Sequence, residues 1–160
     1  MKLLIAAVGK LKEPEEKAIV ARYAKRCDQV GKTLGLGPLS IVELVEAQAA
    51  TAAARKSDEA QRLLKAAEGA MFKIALDAGG KPFSSESFAT LIRKASDSSV
   101  KACAFLIGGP DGHGTDVLKA ANVTLSLGQM TLPHGLARVV LCEQLYRAAT
   151  IISGHPYHRA

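Results

Sequence analysis

The chain carries four histidines, His113, His134, His155 and His158, and three of them lie from His134 onward. The last two belong to the terminal run His155-Pro156-Tyr157-His158-Arg159. An imidazole titrates near neutral pH, a guanidinium forks onto phosphate, and a phenol stacks or donates a hydrogen bond. That is a composition for handling a nucleobase or a phosphate, and it is poor in the residues of a flexible linker. No two histidines have the spacing of a helical zinc motif, so no metal site is expected.

A second group of residues is notable for lacking side chains. Gly108-Gly109-Pro110-Asp111-Gly112-His113-Gly114 lets a backbone approach a ligand closely. Its spacing is not the G-x-G-x-x-G of a dinucleotide site, which argues against a nicotinamide-dependent oxidoreductase. Gly31-Lys32-Thr33 resembles the end of a phosphate loop, but Arg26 stands where that loop needs its first glycine.

The elements that must position these residues alternate. Apolar runs predict strands at 2–8, 39–45, 71–76, 102–107 and 123–127. Three- and four-residue apolar spacing predicts helices through Ile19, Tyr23, Cys27 and Val30, through Ala60, Leu63, Leu64 and Ala67, and through Phe88, Leu91 and Ile92. A short helix is expected at 116–121 and a long one at 136–153, while Gly/Pro-rich breaks are expected at 31–38, 77–82 and 108–114. Alternation of this kind predicts a single α/β domain over residues 1–160, with a mostly parallel sheet covered on both faces. In such sheets ligands bind at the carboxyl ends of the strands. The turns after Leu76, Ile107 and Leu127 therefore become one candidate pocket.

The last helix is apolar nearly all round, from Leu136 and Val139 to Ile151 and Ile152. Such a helix must be covered on more than one side. The expectation is a homodimer in which it packs on its symmetry mate, the alternative being a central helix of one chain.

Composition narrows the partners. At 48% apolar and 22% charged residues the chain is globular. No apolar run approaches the roughly 18 residues of a bilayer span, and the N-terminal run reads as a strand and not as a signal peptide, so no membrane partner is expected. Cys27, Cys103 and Cys142 are odd in number and widely spaced, which suits a reducing, cytoplasmic compartment. A net charge of +6 suits an anionic partner, with nucleic acid the first candidate. Seven aromatics leave little for base stacking, so contacts to phosphate and shape should dominate.

Several motifs, in order along the chain, resemble the ribosomal RNA large subunit methyltransferase H family of the SPOUT class. They are Phe105-Leu106-Ile107-Gly108-Gly109-Pro110-Asp111-Gly112, Ser126-Leu127-Gly128-Gln129-Met130-Thr131-Leu132-Pro133-His134, Arg138, Glu143-Gln144-Leu145-Tyr146-Arg147-Ala148 and the terminal His155 to Arg159 run. The resemblance implies a C-terminal trefoil knot, a homodimer, and methyl transfer from S-adenosylmethionine to N3 of a pseudouridine in helix 69 of 23S rRNA on the assembled ribosome. It implies cofactor contacts at Leu76, Gly108 and Gly109, and at Leu127, Gly128, Gln129, Met130, Thr131 and Leu132. It also implies a tail that completes the neighbouring subunit's pocket, where His155 or His158 would take the N3 proton, Tyr157 would position the base, and Arg159 would meet phosphate or developing negative charge. Arg138 is expected at the cofactor or the dimer partner, or buried against a carboxylate such as Glu143. A non-catalytic ribosome-binding factor with the same fold is the remaining alternative.

Overall fold

Every residue of β1 (Lys2–Val8) after the first is apolar, and the sheet shows why. Leu3, Ile5 and Ala7 enter one hydrophobic cluster, while Ala6 and Val8 enter another on the opposite face. A strand covered on both sides has no reason to alternate polar residues. The computed structural model describes residues 1–158. Its five strands are β1, β2 (Leu39–Leu44), β3 (Phe72–Pro82), β4 (Ala102–Ile107) and β5 (Val123–Ser126). They are all parallel, in the order β2-β1-β4-β3-β5.

Helices α1 (Pro14–Gly31), α3 (Ser85–Asp97) and α5 (His134–Ser153) cover one face. The other face carries α2 (Ala52–Ala66) and α4 (Thr115–Ala120). The helix starts follow local chemistry. Pro14 opens α1 with Glu15 and Glu16 in its first turn. Thr51 Oγ1 accepts a hydrogen bond from Ala54 N–H at 3.2 Å, and Ser84 Oγ accepts one from Ser87 N–H at 3.1 Å. No helix among the described residues is long and apolar enough to cross a membrane.

One expectation needs correction. Residues 77–82 are not a terminating turn, because β3 runs on through Pro82. Leu76 and Lys81 both pair with Leu125, so 77–80 form a bulge between two stretches of ladder. Gly80 makes the second stretch possible, since a Cβ there would stand 2.8 Å from the backbone of Thr124 and Leu125. Glycine read as turn composition is here a close approach of two strands.

α5 lies between α1 and α3 on the sheet, and this one chain buries its Leu141, Cys142, Leu145, Ala148 and Ala149. Leu136 stays exposed, and Val139, Val140, Ile151 and Ile152 are only partly covered. The cysteines are buried and free, and burial pushes the thiols of Cys27, Cys103 and Cys142 up to about 12.

Candidate active site

The carboxyl ends of β3, β4 and β5 close round one cavity of about 570 Å³. From β3 it takes Leu76 and the bulge residues Asp77 and Ala78. The turn after β4 gives Ile107, Gly108, Gly109, Pro110, Gly112 and His113. Leu125 and the segment after β5 give Leu127, Gly128, Met130, Thr131 and Leu132, and the start of α5 adds His134 and Ala137. All three turns singled out in the sequence converge there. Gln129 alone of the expected cofactor residues is not in the wall.

The turn after β4 is shaped by contacts that only glycine permits. Gly112 N–H donates to the Gly109 carbonyl at 2.9 Å, and Gly112 has φ +81°. A methyl group built on Gly109 would stand 2.7 Å from Glu59 Oε2 and 3.0 Å from Val8 Cγ1. Glu59 has no room to yield. It is buried, and its Oε1 accepts from Ala47 N–H at 2.9 Å. One turn of α2 earlier, Arg55 grips Asp111 and also donates to the Ala49 carbonyl at 3.0 Å. That guanidinium holds the Asp111 carboxyl below its usual range. Two side chains of α2 thus set the shape of the glycine turn.

His113 ties this turn to β3. Its Nε2–H donates to the Leu76 carbonyl at 3.0 Å, which fixes the tautomer. Burial lowers the pKa of the ring, so the neutral imidazole is the native form. After β5, Ser126 Oγ donates to the Gly128 carbonyl at 2.9 Å and accepts from Gly128 N–H at 3.2 Å. His134, the first residue of α5, stands opposite the end of β1, and Gly9 at that end has φ +89°. The histidine ring and Glu46 both crowd the space a Gly9 side chain would fill.

The terminal residues are not part of the cavity wall. After the 20 residues of α5 the chain turns back along the helix, so that Tyr157 reaches Glu143 halfway along it and His158 reaches Glu86 in the first turn of α3. Tyr157 Oη donates to Glu143 Oε1 at 2.9 Å, and its ring packs on Tyr146 with centroids 4.5 Å apart. Burial first, then hydrogen bonding to Tyr23 and Glu143, raises the Tyr157 phenol, so it acts as a donor. His158 Nε2 meets Glu86 Oε1 at 2.9 Å, and its Nδ1 accepts from Arg147 at 3.3 Å. His155 is exposed, and Arg159 lies outside the described residues.

Arg138 belongs to neither site. It is fully buried, its Nη1 bonds Glu43 Oε1, and its Nη2 donates to the Gly9 carbonyl at 2.9 Å. Its partner is Glu43 and not Glu143, which is taken by Arg147 and Tyr157. Sequence reasoning named His113 and His134 without giving them a role in this cavity, and it did not single out Arg55 or Glu59. Nothing in local spacing marks Arg55 as the partner of a residue in another loop.

The family model described as "Predicted SPOUT methyltransferase" matches residues 1–158. Curated relatives named "Ribosomal RNA large subunit methyltransferase H" match along the whole chain. The protein from Xanthobacter autotrophicus is 44% identical over 160 residues, covering 100% of each chain. Those from Brucella anthropi and Rhodopseudomonas palustris are 42% and 41% identical with the same coverage. A solved structure of a probable methylase family protein from Haemophilus influenzae Rd KW20 shares the fold, at TM-score 0.52 and 11% identity, covering 99% of this chain and 70% of that one. The chain is a SPOUT methyltransferase, a class that uses S-adenosylmethionine as methyl donor. Within that class the chain belongs to the ribosomal RNA large subunit methyltransferase H family.

The cavity fits such a donor. Its volume falls in the range of about 300–1,000 Å³ typical of cofactor sites. Its wall is mostly apolar side chains and bare glycine backbone, which suits an adenosine with close backbone contacts.

Proposed function

We propose that the protein transfers a methyl group from S-adenosylmethionine to N3 of a pseudouridine in helix 69 of 23S rRNA, acting as a homodimer on the assembled ribosome. The observation that carries this reading is the convergence of three side-chain-poor turns on one cavity, in a chain 44% identical to a named large-subunit rRNA methyltransferase. The bound donor supplies an electrophilic methyl carbon. The protein's own residues then have three tasks.

The first is to hold the donor. Leu76, Gly108 and Gly109, Leu127 and Gly128, and Met130, Thr131 and Leu132 form the wall that would do so. Fixing the methyl carbon about 3 Å from the attacking nitrogen supplies a large part of the barrier reduction. The second task is to remove the N3 proton, whose pKa lies above neutral, and to stabilise the charge that develops on the base. In this reading His155 or His158 accepts the proton, while Arg159 meets the charge or a phosphate. The third is to orient the base, which falls to Tyr157.

In one chain Tyr157 and His158 are held on Glu143, Arg147 and Glu86, outside the wall of that chain's own cavity. In this reading the tail of a second copy enters the cavity instead. The test is transfer of radiolabelled methyl to free 23S rRNA, separated subunits and whole ribosomes, with the modified base identified. Label at a helix 69 pseudouridine of whole ribosomes is the expected result. No transfer to any of the three, with donor binding absent by calorimetry, would leave a ribosome-binding factor.

A further inference from the structure

The surface of α1 segregates its charges. Its free acids, Glu15 and Glu16, stand in the first turn. Asp28 is turned inward, where its Oδ1 accepts from Leu39 N–H at 2.7 Å. The rest of the exposed side carries Arg22, Lys25 and Arg26, and Lys32 continues it just past the helix end. Among the described residues none of these four forms an ion pair. Like charges at i,i+4 and i,i+3 weaken a helix. A chain that keeps Arg22 against Lys25 and Arg26 without an intervening acid accepts that cost.

The arginines are also braced. Arg22 lies 5.4 Å over the centre of the Tyr23 ring. Arg26 lies 6.0 Å over Tyr23 and 5.9 Å over Tyr146. Tyr23, Tyr146 and Tyr157 form a continuous ladder, with Arg147 4.9 Å over Tyr157. Guanidinium planes laid on aromatic rings lose less freedom when they meet an anion. Arg22 and Arg26 are about 6 Å apart along the helix axis, close enough for neighbouring phosphates of one strand.

We infer that the exposed face of α1, from Arg22 to Lys32, is a docking surface for the phosphate backbone of rRNA, continuous through the tyrosine ladder with the tail. This rests on the rRNA reading above and adds to it where the RNA runs. The regularly spaced phosphates of one strand match a line of spaced cations on a convex helix better than a scattered set of carboxylates does.

The test is the Arg22→Ala/Arg26→Ala double variant, with Arg22→Lys/Arg26→Lys as its control. Binding to bacterial ribosomes and to deproteinised 23S rRNA is measured across a salt series. The alanine variant should keep the wild-type melting temperature and S-adenosylmethionine affinity. Its ribosome affinity should fall tenfold or more, and its slope of log K against log salt should shrink by roughly 1.5 for two lost phosphate contacts. The lysine variant should retain most of the affinity. An unchanged salt slope, loss of dimer in sedimentation, or loss of binding to ribosomes but not to deproteinised rRNA would each overturn the inference. The last result would point to an acidic ribosomal protein. If the wild type itself binds neither particle nor RNA, it is the substrate reading that fails.

Discussion

Arg55 on α2 and Asp111 in the glycine turn, 56 residues apart in the chain, meet in two parallel hydrogen bonds, Nε to Oδ2 at 2.6 Å and Nη2 to Oδ1 at 3.1 Å. A fork of this kind fixes orientation as well as distance. It holds the turn that walls the donor cavity, although neither Arg55 nor Glu59 is part of that wall. Arg55→Ala should therefore weaken S-adenosylmethionine binding about tenfold, the order of a coupling between neighbouring sites. Calorimetry measures it. Arg55→Lys should rescue little, because an ammonium cannot form the fork.

Gly109 and Gly135 make a contrasting pair. A Cβ on Gly135 would stand 2.3 Å from Glu16 Oε2, nearer than anything met at Gly109. The Glu16 carboxylate ends a flexible, half-exposed side chain and can swing away. The Glu59 carboxylate is buried and pinned to Ala47 N–H. Gly135→Ala should leave donor affinity within about twofold, while Gly109→Ala should reduce it by tenfold or more. Equal effects in a titration would contradict this account of the turn.

His113 makes stability depend on pH. Burial lowers its pKa below the ordinary 6.5, so unfolding below pH 6.5 takes up a proton that the native ring refuses. Its contribution is intact above pH 6.5 and is lost as pH falls through the window beneath it. His113→Leu should flatten the dependence of unfolding free energy on pH in that window, by at most about 1.4 kcal/mol per pH unit, the value for one proton. Urea melts of both proteins at pH 5, 6 and 7 give the difference.

Arg138 and Glu43 should respond unequally to substitution. Arg138 is fully buried, whereas a third of the Glu43 side chain remains exposed. Glu43→Ala strands a buried cation on the Gly9 carbonyl and should cost about 3 kcal/mol. Arg138→Met leaves a carboxylate that water can reach and should cost less. In Glu43→Ala/Arg138→Met the second change should recover part of the loss, as chemical denaturation would show.

Removal of residues 154–160 should leave the fold and donor binding intact, since the tail rests on the outside of α5 and α3. Methyl transfer should disappear. Mixing this truncated chain with the Gly109→Ala chain should restore activity, because one mixed dimer pairs a sound cavity with a sound tail. Full activity of the truncated chain alone would remove the tail from the reaction.

The sequence reading and the structure agree where local pattern and sheet geometry suffice. Continuous apolar runs located every strand, and the rule for parallel sheets brought the turns after Leu76, Ile107 and Leu127 together. Agreement ends where a residue's meaning depends on a distant partner. Gly79-Gly80-Lys81-Pro82 has turn composition, and only the approach of β5 makes it a strand. The unbroken apolarity of α5 records cover from α1 and α3 as readily as from another copy. Arg55 and Glu59 have ordinary surface spacing along α2, and their pairing with Asp111 and Ala47 comes from tertiary contact.

The natural thiols, finally, are chemically silent. Sulfurs that are buried and hold their protons to about pH 12 do not compete for alkylating reagents. A single cysteine placed at the exposed position 155, as His155→Cys, would be a unique handle for a fluorophore or spin label. The protein thus offers a clean background for following its terminus when a second copy or a ribosome arrives.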